Sequence, residues 1–185
     1  MIRIFKFGGS SIRNIKSIKK IAKIIQEHQE DQLIVIFSAI GKVTNMLEEV
    51  VNSYFSQDGQ ERLLLKGIRD FHEDIARELF EEEHSIFDDI NNLFIEIEWL
   101  IDEVPINKYA YNYDQIVSIG ELLSSKIMSA YLTKTNFNNH WIDIRDIIRT
   151  DDSYRNAKVN WEITSDLAQA NLKKKNIITQ GFIGS

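Results

Sequence analysis

The sequence predicts an α/β fold built on a mainly parallel sheet. Three observations carry this. Ile2–Phe7 alternates between apolar and polar or charged residues as a strand does, and Leu33-Ile-Val-Ile-Phe37 is a short, wholly apolar run suited to a strand buried on both faces. Between them lies an amphipathic helix, so the first 37 residues read as one βαβ unit.

The elements follow in order. Asn14 to Glu30 reads as a helix with Ile15, Ile18, Ala22 and Ile25 on one face and Lys16, Lys19, Lys20 and Lys23 toward water. Val43 to Phe55, Gln60 to Phe80 and His84 to Glu103 read as three further helices, the last two forming a helical insertion over about residues 56–104. Asn112 to Thr133 reads as one more helix, His140 to Ile144 as a strand, and 145–160 as a polar loop around Asp151-Asp152-Ser153. Glu162 to Lys175 is a helix, and Asn176 to Gln180 a strand that runs into Gly181-Phe-Ile-Gly-Ser185. A Gly-x-x-Gly-Ser segment directly after a strand looks like half of a substrate loop, so the chain is expected to be part of a longer protein.

Composition bounds the function. The 185 residues suit one domain able to bury a real core. A net charge of −6 without a basic stripe argues against nucleic acid as a partner. There is no cysteine, which removes disulfides, thiol catalysis and cysteine-ligated metal and is compatible with a cytoplasmic setting. The apolar runs fall far short of the roughly 20 residues that span a bilayer, and Met1 leads straight into a strand, so no membrane and no secretory leader are expected. His28, His72, His84 and His140 are scattered without ligand spacing, and no metal site is read from them. Trp99, Trp141 and Trp161 read as core or interface anchors.

Chemistry concentrates at strand ends. Strand one finishes in Lys6-Phe-Gly-Gly-Ser-Ser11, where glycines allow close backbone approach to a phosphate and a helix start offers amides and a favourable dipole. The spacing is not that of a P-loop, and a plain strand–turn–helix joint with a solvated lysine fits the same residues. Ser38-Ala-Ile-Gly41 follows strand two, with Thr44-Asn45 opening the next helix. Ligands of parallel sheets bind outside the carboxyl ends of the strands; the alternative is that Thr44 only caps a helix. Glu121 stands among Ile116, Val117, Ile119, Leu122 and Leu123, next to Gly120; a glycine inside a helix costs about 1 kcal/mol relative to alanine, so a close approach is expected there. A carboxylate turned inward needs a cation, Lys6 or a substrate ammonium; an ordinary surface glutamate is the alternative.

Taken together, these motifs resemble one family. Lys6-Phe-Gly-Gly-Ser-Ser11 resembles the Lys-Phe-Gly-Gly-Thr-Ser signature of aspartate kinases, with Ser10 in place of threonine. Ser38-Ala-Ile-Gly-Lys-Val-Thr-Asn45, Ser118-Ile-Gly-Glu-Leu-Leu-Ser-Ser125 and Thr179-Gln-Gly-Phe-Ile-Gly184 are similar to three further segments of that family, in the same order along the chain.

The resemblance implies an amino acid kinase fold, a three-layer sandwich around a mainly parallel sheet. Residues 1–185 would be the N-terminal portion of the kinase domain, without the nucleotide-binding half, an arginine-bearing substrate loop and the regulatory ACT domains. It implies phosphoryl transfer from ATP with Mg2+ to the β-carboxylate of L-aspartate, giving 4-phospho-L-aspartate for lysine, threonine and methionine synthesis. Lys6 would neutralise the transferring phosphoryl group. Gly8, Gly9 and Ser10 would donate to phosphate oxygens, and Ser38 and Thr44 would help hold aspartate. Glu121 would hold the substrate ammonium or orient Lys6, and Gly181 and Phe182 would form part of the pocket wall. These 185 residues alone are expected to bind ATP poorly and turn over little. A homo-oligomer is expected, with the long helices between Gln60 and Glu103 suited to the contact. A sister kinase acting on another acceptor and a non-catalytic dimerisation or sensing module remain alternatives.

Overall fold

The computed structural model describes residues 2–106 and 108–185. Four strands form one parallel sheet in the order β1-β2-β4-β3, with β1 Ile2–Phe7, β2 Gln32–Phe37, β3 His140–Trp141 and β4 Ile177–Gln180. The register is continuous across it: Phe7 pairs with Phe37, Phe37 with Gln180, and Ile177 with His140. The carboxyl ends of β1, β2 and β4 therefore lie side by side on one edge.

Seven helices accompany the sheet among the described residues. α1 (Ile15–Gln26) joins β1 to β2. α2 (Val43–Ser56), α3 (Glu61–Leu79), α4 (Ile86–Ile101), α5 (Tyr109–Val117) and α6 (Ile119–Lys134) lie between β2 and β3, and α7 (Trp161–Asn171) lies between β3 and β4. α3 and α4 cover the stretch expected to be a helical insertion; they pack on each other, with α3 also against α2.

The amphipathic pattern of α1 buries Ile18, Ile21, Ala22 and Ile25 and leaves the lysines in water. α6 is buried nearly all round, from Ile119 through Ser125 to Ile127, Met128 and Leu132, as suits a helix at the centre of the molecule. Each fully buried aliphatic or aromatic side chain contributes about 1.5–3 kcal/mol by leaving water; Leu33, Val35 and Phe37 of β2 belong to this set.

Several boundaries differ from expectation. β2 is fully buried on one face only: Leu33, Val35 and Phe37 are sealed, while Ile34 and Ile36 are half-buried and Ile2 and Ile4 beside them are about 60% exposed. The helix expected over 112–133 breaks at Ser118, which closes α5 and opens α6. The strand expected over 140–144 stops at Trp141, because Asp143 accepts the Arg145 N–H at 3.0 Å and turns the chain into a 3-10 turn over Ile144–Asp146. Trp99 and Trp161 are more than 70% exposed and are not core; only Trp141 packs against the interior. No described helix is long and apolar enough to cross a membrane.

Candidate functional site

The carboxyl edge of β1 and β2 is where two loops converge. A Cβ on Gly9 would sit 2.7 Å from the Gly41 carbonyl oxygen and 3.0 Å from that of Ala39, so only glycine lets the loops touch. They are stitched by backbone bonds: Gly41 N–H donates to Gly9 O (3.2 Å) and Ile12 O (3.0 Å), and Ser38 N–H donates to Phe7 O (3.0 Å). Lys6 is exposed, and its Nζ lies 3.4 Å from where a Gly8 Cβ would stand, so the ammonium hangs over the glycine pair. Ser10 is exposed in the turn, and Ser38 is half-buried.

The anion cradle is not the start of α1, as the sequence suggested. Asn14 and Ser17 form a capping box that satisfies the first amides of that helix. Gly8–Ile12 is instead a tight turn, with Ser11 and Ile12 N–H groups both donating to Gly8 O. The open helix start is that of α2. Its N-cap is Lys42, with no side-chain cap, and Thr44 is the second residue of the helix, half-buried. Thr44 is therefore not the cap. The Val43 N–H donates to Ile40 O at 3.0 Å, and the Thr44 and Asn45 amides that follow it are the ones left for an anion beside the Gly9 turn.

Glu121 closes the site from below. It is 2% exposed, so the surface-glutamate alternative falls. Its position depends on Gly120, where a Cβ would meet Ala39 Cβ at 3.0 Å, Leu47 Cδ1 at 3.2 Å and Val43 Cγ1 at 3.3 Å; the glycine lets α6 press against α2 and the 38–41 loop. Oε1 accepts the Ala39 N–H at 3.3 Å, and Oε2 is buried with no partner. Burial pushes the carboxyl from its ordinary 4.5 up to about 7, opposed by the Ala39 N–H, by its own backbone N–H and, least, by the Lys6 charge. Lys6 thus acts on Glu121 as a nearby charge and not as an ion-pair partner, leaving Oε2 for another cation.

The end of β4 supplies the third side. Gly181 N–H donates to Phe37 O at 3.1 Å, and a Cβ there would meet Ile36 Cγ2 at 3.2 Å. Phe182 has φ +72°, disfavoured for an aromatic residue, and is 74% exposed. Gly181 and Phe182 line a cleft of about 1220 Å³ that also touches Ile36, Ser118, Asp143 and Arg145. Lys6, Gly8, Gly9, Ser38, Thr44 and Glu121 are not in that lining; the cleft opens beside them, past Ile36, which pairs with Lys6, and Ser118, three residues before Glu121.

Some residues of this edge escaped sequence reasoning. Arg145 is gripped by Asp143 through Nε and Nη2, at 3.0 and 3.1 Å for Nε and 2.7 Å for Nη2, inside what read as a featureless polar loop. Arg155 lies 4.1 Å over the Tyr113 ring and holds its loop to α5, its N–H donating to Asp114 at 2.8 Å. Gln180 and Ser125 lie inside quoted motifs, but only their contacts reveal a role.

The sequence profile of the Amino acid kinase family matches residues 1–185. Lysine-sensitive aspartokinase 3 of Escherichia coli is 27% identical over 188 residues, covering 100% of this chain and 41% of that relative. The aspartokinase of Chlamydia trachomatis is 30% identical over 185 residues, covering 98% of the chain and 40% of the relative. Among solved structures, E. coli aspartokinase III in complex with aspartate and ADP superposes with a TM-score of 0.88 at 27% identity, again over 100% of this chain and 41% of that one. The chain thus spans about two fifths of the length of these relatives.

Proposed function

The chain belongs to the amino acid kinase family, and from that premise we propose that it is the acceptor-holding region of an aspartokinase, binding L-aspartate at the carboxyl edge of β1, β2 and β4 for phosphoryl transfer from ATP. One observation carries the reading: a buried carboxylate with an unpartnered Oε2 lies next to two glycine-welded loops and a free lysine. A ligand that satisfies this edge must present an ammonium to Glu121 and carboxylate or phosphate oxygens to the loops. An α-amino acid with a second carboxylate does both, and a relative with the same fold is described in complex with aspartate and ADP.

The proposed roles follow from position. Oε2 of Glu121 accepts the substrate ammonium, and Ser38, Thr44 and the open amides of α2 orient the β-carboxylate. Gly181 and Phe182 wall the pocket. Lys6 lies over Gly8, where it offsets charge on the transferring group, with Gly8, Gly9 and Ser10 as backbone and hydroxyl donors. A β-carboxylate oxygen forms the bond to the γ-phosphorus as the bond from phosphorus to the bridging oxygen breaks, and ADP leaves with the electron pair. The attacking carboxylate is already ionised, so no general base is required. Mg2+ arrives as part of the nucleotide substrate. Among the described residues no group of three His, Cys, Asp or Glu is placed to hold it, so no ligand on this chain is assigned.

The test is titration of the chain with L-aspartate, L-glutamate and D-aspartate, read from the amide resonances of Gly8, Gly9, Gly181 and Phe182. Saturable shifts with L-aspartate alone are expected. Equal response to all three acids, or none, contradicts the reading. In a hydroxamate assay with MgATP, these 185 residues are expected to form little product beside a longer aspartokinase run in parallel.

A further inference from the structure

Two buried amides bracket β4, Asn176 just before it and Gln180 as its last residue, and the two differ. At the amino end Asn176 donates Nδ2–H to Asn138 O at 3.0 Å, and its Oδ1 has no partner. At the carboxyl end Gln180, 2% exposed, uses both of its polar atoms across element boundaries: Nε2–H donates to Ser125 Oγ at 2.7 Å, and Oε1 accepts the Ile144 N–H at 2.8 Å.

Ser125 is itself fully used. Its hydroxyl accepts from Gln180 and from Trp141 Nε1–H (2.9 Å) and donates to Leu122 O (3.1 Å), which exhausts one proton and two lone pairs. Trp141 is held in turn by Lys126, whose Nζ lies 4.3 Å over the ring. Ser125 stands one helical turn beyond Glu121 on α6. Ile144 opens the turn that carries Arg145. The residue after Gln180 is Gly181, followed by Phe182 in its left-handed backbone. Such a conformation persists only where neighbours over-determine it, and the side chain of Phe182, being mostly exposed, does not anchor itself.

We propose that Gln180 is a positioning residue: its side-chain amide locks the Gly181–Phe182 rim and the Ile144–Asp146 turn to the helix that carries Glu121. The role assigned to the rim rests on the aspartate reading above; the lock itself does not. Gln180 touches no substrate in this account and acts through the rim.

The experiment compares wild type with Gln180→Leu, Gln180→Glu and Ser125→Ala by residue-resolved amide exchange. The Ile144 amide loses its acceptor in Gln180→Leu and is uninformative. The Gly181 amide is informative, because its acceptor, Phe37 O, is untouched. Gln180→Leu is expected to speed Gly181 exchange at least tenfold and to move the Phe182 backbone coupling constant, with the α3 and α4 amides unchanged. Gln180→Glu, protonated at mildly acidic pH, can donate to Ser125 and accept from Ile144, and is expected to restore slow Gly181 exchange. Ser125→Ala breaks the same contact from the other side and decides the matter if Gln180→Leu does not fold. Unchanged Gly181 exchange in Gln180→Leu and Ser125→Ala, or a uniform acceleration of every amide, overturns the lock. L-Aspartate titration separates the two readings: no binding by wild type condemns the aspartate site and leaves the lock to the exchange result, while binding that is equally tight in a Gln180→Leu chain with a loosened rim overturns the role of Gln180 in that site.

Discussion

Glu121 and His72 form an instructive pair. Each is almost wholly buried, each meets the main chain of another residue, and each leaves one side-chain atom unpartnered, Oε2 in the first and Nε2 in the second. His72 lies on α3, its Nδ1 2.8 Å from Ile68 O and its ring 5.2 Å from Phe71 and 6.2 Å from Phe94. Burial pushes it from 6.5 down to about 4, so it is neutral and inert at physiological pH. Glu121 is pushed up to about 7 by the same cause but lies where two loops converge, within reach of the Lys6 charge. A buried, half-satisfied titratable group does not by itself make a site. Glycine-enforced loop contact, an open helix start and a nearby cation separate the one from the other.

The largest effect that would sharpen this contrast is on binding. Glu121→Gln keeps the shape and the Ala39 contact but removes the charge that meets an ammonium, and is expected to weaken L-aspartate binding 30-fold or more, about 2 kcal/mol or above for a desolvated charged hydrogen bond. His72→Phe is expected to leave aspartate binding within twofold. Comparable losses in both variants, by calorimetry, would break the comparison.

The loop weld comes next. Gly9→Ala drives a Cβ into two carbonyl oxygens, and Gly120→Ala drives one into Ala39 and α2. Each is expected to cost about 1–3 kcal/mol in denaturant unfolding. Gly59→Ala, with open space around it but φ +77°, is strained through its backbone alone, and a loss of about 1 kcal/mol serves as the reference.

Acid and base stability should then diverge. The folded pKa of His72 lies below the unfolded one, so its contribution is whole above pH 6.5 and is lost as the pH falls through 4. His72→Phe should relieve about 2 kcal/mol of that loss at pH 5. Glu121 has the opposite sign. Its folded pKa is raised, so its contribution is whole below pH 4.5 and lost as the pH rises past 7, and Glu121→Gln should stabilise the free chain at pH 8 relative to pH 5. Thermal melts of both variants across pH 4.5–8 test the two signs. The smallest effect is expected from Trp99→Ser on the exposed face of α4, within about 0.5 kcal/mol.

What the sequence made legible follows the range of the interactions. β1, α1 and the glycine pair are local patterns: β1 lies where the alternation puts it, and α1 follows the 3.6-residue period but ends at Gln26, short of the expected Glu30. Gly120 was legible too, since a glycine inside a helix signals close approach, and Ala39, Val43 and Leu47 are what approaches. Local competition was harder to see. The Asn14–Ser17 capping box and the Asp143–Arg145 fork each redirect a few residues, and either could have been read from the residue types alone. The contact of Gln180 with Ser125, 55 residues apart, has no local signature. The open sheet face at Ile2 and Ile4 likewise could not be distinguished from a covered one by an apolar run.

The most direct measurement is the titration of the Glu121 carboxyl by carbon NMR, with and without saturating L-aspartate. A midpoint near 7 is expected in the free chain, falling by a unit or more when a substrate ammonium pairs with Oε2, so that binding tightens as the pH rises from 6 to 8. A midpoint that stays in place while aspartate binds would show that the ammonium does not meet Glu121 and would contradict the proposed site.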